Sequence, residues 1–425
     1  AAKESNKPTM IVCKTSIGYG AGKKQDSESS HGAPLGEEVL VELRKNLDWK
    51  YKPFEIPESV YADWDFKEKG KNLEENWKTI CAEHEKNDPE KAALLKRLVS
   101  GDLPQNFMEF FDRHIEVLKE NNDSIATRKC SQMILEFLKE HLPELIGGSS
   151  DLSGSNNTIT KASSSVNSNS SGNYIYYGVR EFGMNAIMNG MSLHGGIIPY
   201  GGTFLVFMDY GRNAVRMSAL MGIRTIYVFS HDSVALGEDG PTHQPIEHLT
   251  TLRSTPNMHT WRPASLIETA VAWKKALINK DGPTSIILSR QNLNNFPIEN
   301  ISEIERGGYF IKYSPDSTIN LIATGSEVDT VLEAAKILEE SGVKTNIASV
   351  PCLEELEKDQ SIYQKIFSQN TTNIVVECSH PNSWYKHTDK VIGIDTFGES
   401  GKGNDLMEHF GFTPSKVAKK ISQLI

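Results

Sequence analysis

Residues 231–245, HDSVALGEDGPTHQP, set two imidazoles, His231 and His243, and three carboxylates, Asp232, Glu238 and Asp239, among Gly237, Gly240, Pro241 and Pro245. Imidazoles pass protons near neutral pH and carboxylates accept them or hold hydroxyls, so the stretch has the composition of an acid–base loop. Gly and Pro can fix such a loop in one shape. An exposed polar loop without chemistry has much the same composition, and most loops are of that kind. The run before it, RTIYVFS, reads as a strand, and open α/β sheets bind ligands at the carboxyl ends of strands.

Three other sets of residues have chemistry to offer. Glu181 follows Arg180 at the start of a predicted helix, where the helix dipole stabilises a carboxylate; a surface ion pair is the plain alternative. Phe204, Phe207 and Tyr210 recur every three residues, a spacing that serves core packing or presents a flat wall to a planar heterocycle. Arg128, Ser155, His231 and Arg290 fall in loops or at element ends, and a guanidinium fork beside a hydroxyl suits a phosphate monoester. His31, between Ser30 and Gly32 before a predicted helix over residues 34–46, is by itself an ordinary polar residue. GYGAGKK and GESGKGND lack the spacing of a phosphate-binding loop, because neither places Ser or Thr after G-x-x-x-x-G-K.

The elements that must position these residues alternate. Residues 10–13 read as a strand, residues 49–103 as a charged helical linker, and SIATRKCSQMILEFLKEHL as an amphipathic helix. From ELIGG to TSIILSRQN, strands separated by helices predict βαβ units on a parallel sheet; INLIATG to the last helix, residues 414–425, repeats the pattern as a smaller α/β domain. KASSSVNSNSSGN reads as a surface loop.

With 45 basic and 55 acidic residues in 425, the net charge is −10, which argues against nucleic acid or an anionic membrane as partner. Five cysteines without a C-x-x-C pair suggest neither a disulfide framework nor a zinc knuckle and point to a reducing, cytoplasmic setting. No apolar run approaches the roughly 18 residues of a membrane span. The chain begins at Ala1, and the expectation is that it starts inside a larger protein.

Taken in order, SHGAPLG, ATRKCSQ, GGSSDLSGSN, YGVREFGM, PYGGTFLVFMDY, HDSVALGEDGPTHQP, WRPA, LSRQN and ATGSEV closely resemble transketolase, the thiamine-diphosphate enzyme family of the pentose phosphate pathway. The resemblance runs over essentially the whole chain. It implies a parallel-sheet, thiamine-diphosphate-binding α/β fold: the end of the diphosphate-binding domain with a helical linker (residues 1–92), a pyrimidine-binding domain (93–300) and a smaller α/β C-terminal domain (301–425). It implies Glu181 on the aminopyrimidine ring, favouring the imino tautomer that generates the ylid. Phe204, Phe207, Tyr210, Asp151, Leu152 and Ile17 would line the cofactor, with His31 and His243 as proton relays near the reacting oxygens. Asp239 would meet the C2 hydroxyl of the donor, and Arg128, Ser155, His231 and Arg290 the substrate phosphate. The implied reaction moves a two-carbon ketol unit from xylulose 5-phosphate to ribose 5-phosphate or erythrose 4-phosphate, in a homodimer with active sites at the subunit interface. The family's G-D-G motif lies upstream of SHGAP and is not found here. Most of the diphosphate-binding domain, with the ligands for Mg²⁺ or Ca²⁺, is therefore expected to be missing, no metal ligand is assigned to this chain, and the chain by itself is expected to be inactive. A dihydroxyacetone synthase-type relative and a non-catalytic partner chain are the alternatives.

Overall fold

The computed structural model describes residues 2–7, 9–167, 170–298 and 301–425 and divides the chain into two units, Ala1–Pro89 and Glu90–Ile425. In the first unit, residues 9–16 form no strand, contrary to the sequence expectation for residues 10–13; Met10, Ile11 and Val12 are exposed. Four apolar residues make a strand only where a neighbour takes their backbone hydrogen bonds, and none does so among the described residues. Tight turns then lead to α1 (Glu37–Asn46), α2 (Glu58–Trp64) and α3 (Lys67–Asn87). GYGAGKK folds as a short 3-10 turn, with the Gly20 N–H donating to Gln25 Oε1.

The second unit opens with α4 (Pro89–Ser100), α5 (Phe107–Leu118) and α6 (Thr127–His141), then alternates β1 (Leu145–Ser150), α7 (Ser153–Asn156), the hairpin β2 (Val166–Asn167) and β3 (Ser170–Ser171), β4 (Tyr174–Gly178), α8 (Glu181–His194), β5 (Ile198–Phe204), α9 (Met208–Met221), β6 (Ile226–Ser230), α10 (His248–Arg253), β7 (His259–Trp261), α11 (Leu266–Ile278) and β8 (Thr284–Leu288). Six strands form one sheet in the order β4-β1-β5-β6-β8-β7, every pair parallel. β5, β6 and β8 are buried throughout, as apolar runs covered on both faces must be. α11 is buried along almost its whole length because Leu266, Ile267, Ala270, Val271, Trp273 and Leu277 leave it no polar face. It begins where Ser265 accepts from the Glu268 N–H, and the buried Glu268 carboxylate accepts from Ala264 N–H, Tyr309 OH and Ser349 OH.

The serine-rich stretch expected as a loop carries the β2–β3 hairpin; its residues 168–169, like the domain boundary at residue 300, lie outside the described residues. The second sheet, β13-β12-β10-β11-β9, contains β9 (Tyr309–Lys312), β10 (Ile319–Ala323), β11 (Asn346–Ser349), β12 (Thr372–Val376) and β13 (Lys390–Ile392). It is parallel except for β9, an antiparallel edge strand that alternation of strands and helices did not reveal.

Candidate active site

Parallel register delivers the site. Ser149 pairs with Gly202, Phe204 with Ser230, and Ser230 with Leu288, so the carboxyl ends of β1, β5, β6 and β8 share one edge. That edge carries Asp151, Phe204, His231 and Arg290, residues scattered over the sequence.

His231 takes a left-handed backbone (φ 62°), a strained conformation for a non-glycine residue, and is 2% exposed. Ser230 donates its hydroxyl proton to Asn156 Oδ1 at 2.6 Å, so at 2.7 Å from His231 Nδ1 the same oxygen can only accept. Asn156 Nδ2 donates to Ser149 Oγ, and Ser149 donates to the Gly202 carbonyl. This buried chain places the imidazole proton on Nδ1 and leaves Nε2 a lone pair. Burial, with Arg128, Arg290 and His243 nearby, pushes the His231 pKa down to about 3. His231 is therefore neutral in the fold but protonates once unfolded. Its contribution to stability is complete above pH ~6.5 and lost as pH falls toward 3, amounting to roughly 1–2 kcal/mol between pH 7 and pH 5. Denaturant unfolding should show wild type losing that much more than His231→Gln over the interval; equal losses would contradict it.

From His231 a row of nearly parallel rings runs outward. Phe204 lies 3.6 Å from His231, Phe207 5.6 Å from Phe204 at 8°, and Tyr210 5.8 Å from Phe207 at 22°; His243 meets Phe207 edge-on at 5.1 Å. Spacing by three works here because β5 passes through a 3-10 turn, Leu205–Phe207, straight into α9. Phe204 is buried and Tyr210 largely exposed, so the row is a wall and not a core layer. Glu181 starts α8, half-buried, with Arg180 as N-cap. Gly211 of α9 allows the approach of this turn: a Cβ there would come 3.1 Å from the Glu181 carbonyl and 2.2 Å from Asn185 Nδ2.

Around His231 stand two guanidiniums. Arg128 Nη1 donates to the Ser155 carbonyl at 2.6 Å, Arg290 Nη1 to the Leu236 carbonyl at 2.9 Å. Burial and Arg290 lower the Arg128 pKa, and its buried Nε has no partner. Among the described residues neither arginine forms an ion pair. Two cations held together without a carboxylate make a receptor for an anion able to accept from both forks, and the His231 Nε2 lone pair beside them can only accept from a protonated oxygen of that anion. Asp239 and Glu238 are exposed in the loop, and Asp151 is exposed after β1 with Leu152 half-buried behind it. Ile17 and His31 belong to the first unit, where Ile17 is 43% exposed and the His31 N–H donates to the Glu28 carbonyl.

Two supports were not apparent as functional in the sequence. Arg262, fully buried, donates to Asp232 Oδ2 from Nε at 3.2 Å and Nη2 at 2.7 Å, and also pairs with Glu327 and, at 3.7 Å, Glu377. Arg253 forks onto Glu377 with two 2.8 Å bonds. Asp232 is thus a brace that ties the site loop to the second sheet's loops. The segment GESGKG, rejected as a phosphate loop, packs on the site loop instead: Gln244 Nε2 donates to the Glu399 and Gly237 carbonyls, and a Cβ on Gly403 would come 2.4 Å from the Ala235 carbonyl. The first support had a signal in the arginine of WRPA and the glutamate of ATGSEV; the second had only the glycines of GESGKG.

Fold and site define the class: a two-sheet α/β chain whose ligand edge joins an aromatic wall to a paired-guanidinium anion receptor. Comparison with known families agrees. Residues 123–295 match the transketolase pyrimidine-binding domain, 307–413 the transketolase-like C-terminal domain, and 1–104 the transketolase thiamine diphosphate-binding domain. The chain is 47% identical over 434 residues to transketolase 2 of Vibrio vulnificus and 48% identical to that of Vibrio parahaemolyticus, covering all of this chain and 66% of each relative. A Pichia stipitis transketolase in complex with sedoheptulose 7-phosphate superposes with TM-score 0.92 at 35% identity, over 99% of this chain and 63% of that one; Leishmania mexicana transketolase gives 0.91 at 35%, over 99% and 62%. The chain belongs to the transketolase family. It spans slightly under two thirds of the length of these relatives. One expectation is corrected: the thiamine diphosphate-binding domain is not missing, since residues 1–104 match it. No helix among the described residues is long and apolar enough to cross a membrane.

Proposed function

We propose that this protein is a transketolase, moving a two-carbon ketol unit from xylulose 5-phosphate to ribose 5-phosphate or erythrose 4-phosphate. The observation that carries the reading is the parallel ring row of Phe204, Phe207 and Tyr210 ending on His231 between Arg128 and Arg290. The fit to thiamine diphosphate is good at its pyrimidine end: the wall is flat and open on its outer side, and Glu181 stands at a helix start with its carboxylate hydrogen-bonded to nothing among the described residues. When bound, thiamine diphosphate supplies a nucleophilic carbon that carries the ketol unit.

The chain's own residues divide the remaining work. Phe204, Phe207 and Tyr210 orient the aminopyrimidine, with Asp151 and Leu152 at the neighbouring strand end, and Glu181 hydrogen-bonds a ring nitrogen. Arg128, Ser155 and Arg290 hold the sugar phosphate, with His231 Nε2 accepting from its hydroxyl in the monoprotonated form, Asp239 holds the C2 hydroxyl, and His243 moves protons at the reacting oxygens. The roles of Ile17, in cofactor binding, and His31, in proton relay, rest on the sequence resemblance. Residues 93–300 would form the pyrimidine-binding domain and 301–425 the C-terminal domain. Mg²⁺ or Ca²⁺ as diphosphate counterion, a homodimer with interface sites, the pentose phosphate pathway and a cytoplasmic setting belong to the same proposal, as does the lack of a nucleic-acid or membrane partner at a net charge of −10.

The test supplies thiamine diphosphate, Mg²⁺, xylulose 5-phosphate and ribose 5-phosphate and follows sedoheptulose 7-phosphate. Product supports the reading; formaldehyde preferred as acceptor would mark a dihydroxyacetone synthase, and ribose 5-phosphate binding without product a non-catalytic chain. Arg290→Ala should raise the KM for phosphorylated acceptors about ten- to hundredfold, since a charge-assisted hydrogen bond contributes ~1.5–3 kcal/mol. It should leave that for unphosphorylated glycolaldehyde unchanged; a parallel rise for both would remove Arg290 from the phosphate site.

A further inference from the structure

Beyond the ring wall, three side chains without hydrogen bonds converge where two helices begin. Asp209 stands in the first turn of α9, and Glu247 and His248 begin α10, with Glu247 as its N-cap. His248 is only 3% exposed, yet neither of its ring nitrogens has a hydrogen-bond partner. Nε2 lies 3.2 Å from Asp209 Oδ2 and Nδ1 3.9 Å from Glu247 Oε2, and one ligand atom from each residue falls within 4.8 Å of the others. Neither carboxylate accepts a hydrogen bond among the described residues.

A buried imidazole with both nitrogens unsatisfied is costly, and the carboxylate beside Nε2 is close without forming a hydrogen bond. A cation takes the lone pair of one imidazole nitrogen and one oxygen from each carboxylate, with water completing the shell, and leaves the other ring nitrogen as an N–H donor. Asp209 and Glu247 are about half exposed, 57% and 53% at the side chain, so both can turn inward to the roughly 2.0–2.2 Å that such bonds need. One nitrogen with two oxygens favours a borderline ion over Ca²⁺ or Mg²⁺, which prefer oxygen alone.

We propose that Asp209, Glu247 and His248 form a binding site for a divalent transition-metal ion of the Zn²⁺ type, separate from any ion held by the cofactor's diphosphate. The three ligands come from two helices, and no sequence motif spans them. Tyr210, the outer ring of the wall, follows Asp209 directly, and α10 follows the site loop, so an ion here clamps the start of one to the start of the other.

The metal-stripped protein is titrated with Zn²⁺ alone against a chromophoric chelator, and its thermal unfolding is followed with and without one equivalent. Wild type is expected to hold one tight equivalent and to gain Tm. His248→Gln and Glu247→Gln should each weaken that equivalent by at least about tenfold and abolish the gain. Glu247→Gln alters a half-exposed helix cap and keeps the fold, so it decides if His248→Gln does not fold. Unchanged Zn²⁺ affinity in Glu247→Gln, or no tight equivalent in wild type, overturns the proposal.

Discussion

Replacing Arg262 by alanine is expected to destabilise the protein by about 3–5 kcal/mol, the usual cost of removing one partner from a buried charge cluster. Arg262 is the only cation touching Asp232 and Glu327 among the described residues, and all three are buried. Without it, only the Ser326 hydroxyl and the Cys378 N–H are left to offset burial. Glu327, whose carboxyl burial already pushes up, and Asp232 must then bind protons or draw water inward. Glu377 fares better, since Arg253 forks onto it and helps hold its pKa down to about 2. Chemical denaturation of the variant should show the loss directly. A loss below about 1 kcal/mol would mean that the cluster relaxes as surface pairs do. Arg262→Lys separates charge from geometry: an ammonium cannot serve Asp232, Glu327 and the Thr324 carbonyl together, so only part of the stability should return. Because Asp232 is the residue after His231, Arg262→Lys should also raise the KM for sugar phosphates.

Glu181→Gln is expected to lower kcat by about 10²–10⁴, the range for a side chain that governs a proton in the rate-determining steps. The change keeps size and helix start but exchanges a charged acceptor for an amide. Glu181 forms no ion pair among the described residues, so stability should change by no more than about 0.5 kcal/mol and Tm should move little. A kcat within tenfold of wild type would leave the carboxylate as a helix-start charge and nothing more. Loss of kcat together with a fall in Tm would point to α8 packing, where Gly211 lets α9 approach this turn.

The alternation of strands and helices and the parallel sheet were legible because β5, β6, β8 and α11 carry their burial in their composition. Strand ends were less so: IIPYGGTFLVF reads as one strand through residue 207, but β5 ends at Phe204, and that break turns Phe207 and Tyr210 into a wall. The short elements β7 and β9 were missed, since three or four residues carry too little period to be read.

For residues 231–245, the sequence by itself determined the chemistry available: imidazoles, carboxylates and a strand before them, in motifs specific to one family. It left His231, Asp232 and Asp239 as equals. Tertiary structure separated them. His231 became a neutral acceptor because β1, α7 and β6 bring Ser149, Asn156 and Ser230 into one hydrogen-bond chain, and Asp232 became a brace because β7's end brings Arg262 to it. Asp239 stayed exposed in the loop. Residue type sets what a group can do, but burial and partners set its proton and its direction, and those come from strands far apart in sequence that only the folded sheet makes neighbours.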